Sequence, residues 1–296
     1  MKNLISVLLV ITLSLVYMET QAQSFKTIEA DKLELKIYNA SENSFGVASV
    51  IVSGKTDAVL IDAQFTLEDA EKVAREIKES GKKLTSIFVS HGDPDFYFGL
   101  QVFKNYFPEV TAYASPATVE HIKATAQKKL EVWGERLGTK ITSNAILPQV
   151  LKGTSIDLEG QKLEIMGLEE FLNKTFVWIP SIKAVVGGIN VFGTTFNLWM
   201  ADAQSAEARK SWIMVLDKIV ALNPEIVIPA HANSNSPFDI SAVAHTKNYI
   251  QFYEEALKTN TTSEALIAAL KAEYPNLTFE TALQIGAKVN TGEMKW

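Results

Sequence analysis

Apolar and polar positions change period several times along the chain, and those changes mark its elements. Residues 27–38 and 46–53 are rich in β-branched and apolar side chains. Gly54-Lys55-Thr56-Asp57 separates the second run from Ala58-Val59-Leu60-Ile61-Asp62, which predicts a hairpin. The period then becomes helical. Leu67, Ala70, Val73, Ala74 and Ile77 share a face, Thr66 with Asp69 makes a capping-box-like start, and Gly81 is the stop. Residues 84–89 predict a short buried strand ending in Ser90-His91. A helix around 98–106, a strand at 110–114 and a helix opened by Ser115-Pro116 follow.

The second half starts again with strands. Residues 154–166 predict a hairpin turning near Glu159-Gly160, and 175–179 and 184–186 are short strands separated by Pro180-Ser181. A helix from about 205 to 222 carries Trp212, Val215, Leu216 and Ile219 on one face. The strand at 225–229 leads to His231. From about 240 onward the chain is helical, with Tyr249, Ile250 and Tyr253 on one face and Thr261 with Glu264 starting another helix. Strands, βα alternation, strands and βα alternation again describe two similar α/β halves. In each half a buried strand leads to a histidine, His91 and His231, and strand ends are where α/β proteins place chemistry.

Composition narrows the picture. A chain of 296 residues with 47% apolar content can bury a large core. The net charge of −6, with lysines interleaved among glutamates, argues against a nucleic-acid partner. Lys2, the apolar run from Leu4 to Tyr17 and Thr20-Gln21-Ala22 predict a signal peptide over 1–22. An exported, periplasmic or secreted protein is expected, with one domain over 23–296 and no membrane contact after cleavage. Cysteine is absent, which removes disulfides and thiolate ligands alike.

The stretch Ser90-His91-Gly92-Asp93-Pro94-Asp95-Phe96-Tyr97-Phe98-Gly99 holds the densest candidate chemistry. His91, Asp93 and Asp95 alternate on a loop directly after a strand, a spacing that suits a divalent cation. Asp93 and Asp95 also suit turn and cap positions. The stretch resembles the T-H-x-H-x-D-H-x-G-G signature of the metallo-β-lactamase superfamily. Leu60-Ile61-Asp62-Ala63, Ala184-Val185-Val186-Gly187-Gly188 and Val227-Ile228-Pro229-Ala230-His231 resemble three further family segments, so the likeness covers roughly residues 30–235. It implies a four-layer αβ/βα sandwich, with 240–296 as a helical extension.

The motif positions carry an altered ligand set. His91 and Asp95 match the family pattern, Asp93 replaces a second histidine, and Phe96 replaces a third. Glu170, with Glu169 as a neighbouring option, falls where a further histidine belongs; Ile189 and Asn190 fall at the bridging aspartate; His231 closes the set. The resemblance therefore implies one site from His91, Asp93 and Glu170, and a second reduced to Asp95 and His231. At most one divalent metal is expected: zinc by resemblance, or manganese or iron given the carboxylates. The implied activity is metal-dependent hydrolysis of a small ester, lactone, amide or thioester, with Asp95 as general base and His231 orienting or protonating. The alternative is a non-catalytic binding or regulatory relative, in which Phe65, Phe96, Tyr97, Phe98, Phe192, Phe196 and Trp199 line a cleft or simply pack the core. His121 and His245, each near a lysine within a helix, are expected at the surface, and Asp62 is expected to support the His91 loop by hydrogen bonds.

Overall fold

Alternating burial at the edge strands and continuous burial at the central ones mark the first sheet in the computed structural model, which describes residues 25–296 apart from Asn173. The expected signal segment, 1–22, lies outside the described residues. Strands β1 (Lys26–Ala30), β2 (Leu33–Asn39), β3 (Ala48–Ser53) and β4 (Asp57–Ile61) form an antiparallel meander. The chain then alternates: α1 (Leu67–Glu79), β5 (Lys83–Val89), α2 (Pro94–Tyr97), α3 (Leu100–Tyr106), β6 (Thr111–Ala114), α4 (Pro116–Leu137) and β7 (Gln149–Val150). From β4 to β7 the pairing is parallel, and all seven strands lie in chain order.

The second sheet repeats this plan with fewer strands. Strands β8 (Ser155–Leu158), β9 (Gln161–Met166), β10 (Phe176–Ile179) and β11 (Ala184–Val186) are antiparallel. After α5 (Ala206–Ala221), β12 (Ile226–Val227) pairs parallel to β11. Helices α6 (Ser241–Thr259), α7 (Ser263–Glu273) and α8 (Glu280–Asn290) follow.

Alternate residues of one strand serve two cores, as the pleat requires. Val59 and Ile61 of β4 meet Val177 and Ile179 of β10 between the sheets. Leu60 faces outward toward Val73 and Ile77 of α1, while Phe176 and Trp178 face outward toward Trp212 and Leu216 of α5. Helix, sheet, sheet and helix therefore stack as the expected αβ/βα sandwich. Tyr249, Tyr253, Leu266 and Leu283 carry the last three helices into the outer core. Among the described residues no helix is long and apolar enough to cross a membrane.

Local expectations mostly hold, with three revisions. Thr66 caps α1 by accepting from Asp69 N at 3.2 Å, an interaction of about 1 kcal/mol. The run 27–38 is not one strand: Asp31 takes a positive φ of 51° and folds it into a hairpin. The helix expected around 98–106 is α3, and a short helix not expected from the sequence, α2, precedes it at Pro94–Tyr97. Strand β12 pairs over two residues only: beyond Ile228 N, which donates to Val185 O of β11, the next N–H on that side, Ala230, donates to Val191 O instead.

Candidate functional site

A buried aspartate ties the two sheets together beneath the site. Asp62, in left-handed backbone just past β4, accepts from Ser90 N at 2.7 Å and Ser90 Oγ at 2.6 Å. Ser90 Oγ accepts in turn from Gly188 N at 2.6 Å, and Thr175 Oγ1 donates to Ser90 O at 3.0 Å. The end of β5 is thus pinned to segments flanking β10 and β11, which fixes where His91 starts. Burial pushes the Asp62 carboxyl up to about 7 against the opposing hydrogen bonds from Ser90.

From that anchor the chain delivers two pairs of groups. In the first, His91 Nε2 lies 3.2 Å from Asp93 Oδ2. Lys129, reaching from α4, places Nζ 2.9 Å from Asp93 Oδ1, 2.9 Å from Gly92 O and 3.1 Å from His121 Nε2. Burial opposes the charge of Asp93, but His91 and the Lys129 ammonium outweigh it and hold the carboxyl well below the usual range. In the second pair, His231 follows β12 and is clamped through its backbone: Gly193 N donates to its carbonyl, and it bridges Val47 and Phe192. Its Nδ1 lies 3.0 Å from Phe45 O, a bond that requires the proton on Nδ1 and turns Nε2 toward Asp95 Oδ2, 3.7 Å away. That separation is too long for a hydrogen bond. Burial lowers His231 to about 4 and raises Asp95 well above the carboxylate range, the latter aided by the charge of Asp93.

Phe96 stands between the pairs. Its buried ring is 5.3 Å from the His91 ring and 5.8 Å from the His231 ring, edge-on to both, while Phe192 stacks on His231 at 4.9 Å. Four residues singled out in the sequence, His91, Asp93, Asp95 and His231, therefore do gather at one end of the sandwich. Glu170 does not join them. Its carboxylate is 59% exposed and paired with Lys218 of α5, and it lines neither cavity described below. The placement expected for Glu170 is thus corrected: the turn at 167–170 carries it outward. Neighbouring Glu169 is exposed too.

Two adjoining cavities open over these groups. One, of about 420 Å³, has Asp95 and His231 in its floor, with Phe45, Trp133, Trp199, Phe279 and Trp296 in its walls. The other, of about 350 Å³, meets His91, His121, Lys174 and Trp212. Asp93, His121, Ile189, Trp199 and Asp202 border both. Burial lowers Lys174 to about 8, and its ammonium lies 4.4 Å from the Trp212 ring centroid. Burial, then the charge of Asp93, raises the Asp202 carboxyl, which accepts from Trp296 Nε1 at 2.5 Å.

The lining includes residues that the sequence hides. His121 is half-buried against Lys129, and His245 Nε2 lies 3.0 Å from Phe196 O, so neither is a free surface histidine. Lys129 sits in the run Lys128-Lys129-Leu130-Glu131, which reads as a solvated helix face. No local pattern marks it. Of the expected aromatic lining, Trp199 faces the first cavity, whereas Phe65, Tyr97, Phe98, Phe192 and Phe196 are buried in the core.

These donors do not fit a divalent ion as they stand. Three or more converging groups are the minimum for a firm site. Here the candidates form two pairs with a phenyl ring between them, and one carboxylate already holds an ammonium. Among the described residues no group of three or more histidine, aspartate or glutamate side chains is arranged to hold a metal.

The family model described as the metallo-beta-lactamase superfamily matches residues 43–172. No curated protein matches the chain. Among solved structures, a metallo-beta-lactamase from Pontibacter korlensis is 19% identical with a TM-score of 0.52, over 77% of this chain and 99% of that one. The DIM-1 metallo-beta-lactamase is 18% identical with a TM-score of 0.54, over 77% and 97%. A metallo beta lactamase from Hirschia baltica is 14% identical with a TM-score of 0.54, over 77% and 98%. At such identities the likeness carries the fold and nothing finer. The superfamily is largely one of hydrolytic metalloenzymes.

Proposed function

Taking the metallo-β-lactamase fold of this chain as the premise, we propose that the protein is exported and binds a small, largely apolar ligand bearing an anionic group. In this reading it works without the zinc chemistry of its superfamily. One observation carries it: the cavity walls are aromatic, while Asp93 at the border is already paired with Lys129 and His91, and burial drives Asp95 and His231 of the floor toward their neutral forms. Five rings around 420 Å³ supply flat apolar surface. Lys128 and Arg136, on the exposed side of α4, supply cationic groups at the rim, and Arg136 already lies 5.1 Å from the Trp133 ring. Burial, aided by the charge of Asp93, favours the protonated form of Asp95, which offers a donor to a carbonyl or hydroxyl, and the bare Nε2 of His231 offers an acceptor.

The test is a titration with 1-anilinonaphthalene-8-sulfonate, an apolar anion, followed by tryptophan quenching. Saturable binding is expected, unchanged by zinc or chelator and weakened about tenfold, on the order of 1–2 kcal/mol, in Trp133→Ala or Phe279→Ala. Zinc-dependent hydrolysis of a simple ester such as 4-nitrophenyl acetate would sink the reading.

A second reading has one observation in its favour. His231, with Nδ1–H given to a carbonyl and Nε2 bare, is oriented as metal-bound histidines are. It is the hydrolase implied by the sequence, acting on an ester, lactone, amide or thioester. It requires the two pairs to close on one another and Lys129 to withdraw.

A further inference from the structure

The acceptors around Lys129 form a built cation site. A carbonyl oxygen (Gly92), a carboxylate oxygen (Asp93) and an imidazole nitrogen (His121) lie 2.9, 2.9 and 3.1 Å from one atom. The second oxygen of Asp93 holds His91 at 3.2 Å. Such oxygen and nitrogen donors are those that divalent ions take. An ammonium has three N–H bonds, and here each has an acceptor, so His121 must present a lone pair at Nε2 and carry its own proton on Nδ1. The Lys129 charge is therefore spent inside the site.

Geometry holds the lysine there. Val119 and Ile122 seat the start of α4 in the core, and Lys129 reaches back past two turns of that helix to His121. A helical side chain leans toward its own N-terminus, which is the direction needed. Gly92 passes so close to the imidazole that a Cβ there would lie 2.5 Å from His121 Cδ2. The loop, the histidine and the lysine are fitted to one another.

We propose that Lys129 is a resident cation standing in for a divalent one: it excludes metal from the His91 end of the cleft, and removing its charge opens to a metal the position where Gly92 O, Asp93 Oδ1 and His121 Nε2 converge. His121 has no part in the ligand set implied by the sequence, so this site is assembled differently. The inference rests on the zinc-free part of the proposed function and not on the ligand. Loss of anilinonaphthalene binding in the wild type overturns the ligand reading alone, and failure of the variant below overturns this one alone.

The experiment measures zinc retained by the full chain after incubation with zinc chloride and desalting. Wild type and Lys129→Arg, which keeps the charge, should retain almost none. Lys129→Met should retain about one equivalent, lost again in the double variant with Asp93→Asn. Lys129→Gln, of similar length, serves should the methionine variant lose its circular-dichroism melting transition. Stoichiometric zinc on the wild type, or none on a folded uncharged variant, would overturn the proposal.

Discussion

The two strand ends that carry histidines are built alike in topology and opposite in electrostatics. At the end of β5, His91, Asp93, His121 and Lys129 form a half-buried cluster whose ammonium and carboxylate satisfy one another. At the end of β12, His231 and Asp95 are buried among Phe96, Phe192 and Phe279, and both are driven toward their neutral forms. Near water the chain can keep a charge by pairing it; deeper among aromatic rings it is cheaper to shed the charge. One fold thus places a charged cluster and a neutral one side by side, with Phe96 as the partition.

Breaking that partition should have the largest effect. Phe96→Ala deletes a fully buried ring and is expected to cost about 3–5 kcal/mol in urea unfolding. A loss under about 1 kcal/mol would mean that the ring is not packed between the histidines.

The next effect is a pH dependence with opposite signs at two sites. His231 is depressed from 6.5 to about 4, so its neutral burial contributes stability above 6.5 that is lost as pH falls toward 4. Asp62 is raised from 3.8 to about 7, so its contribution is present below 3.8 and lost as pH rises toward 7. Each is on the order of 2–4 kcal/mol, and between pH 4 and 6.5 they oppose each other in the wild type. His231→Gln should expose the loss toward neutral pH, and Asp62→Asn the loss toward acid. Melting profiles of parallel shape in both variants would contradict this.

Ser90→Ala removes the hydroxyl that joins Asp62 to Gly188 N, at about 1–3 kcal/mol. Equal stability to wild type would show that the strap between the sheets is dispensable. Glu170→Gln should change stability by less than about 0.5 kcal/mol, since an exposed ion pair is worth little. A drop in bound ligand in that variant would return Glu170 to the site.

Much of this was legible in the chain, for identifiable reasons. Strand ends, the Thr66 cap and the gathering of His91, Asp93, Asp95 and His231 follow from local period and from segments placed by two sheets in register. Glu170 misled because it lies in an irregular turn, where sequence order does not set the direction of a side chain. Lys129 and His121 escaped because their roles exist only once α4 lies across the loop after β5; along the helix they look like any solvated face. The break at Asp31 required a left-handed residue that is not glycine, a choice made by pairing in the sheet rather than by the residue itself.

Diffraction at the zinc absorption edge from crystals grown with zinc addresses the central claim most directly. The expected map has no anomalous peak within the cleft and shows Lys129 Nζ seated between Gly92 O, Asp93 and His121. An anomalous peak bridging His91 and His231, with Lys129 swung away, would contradict it.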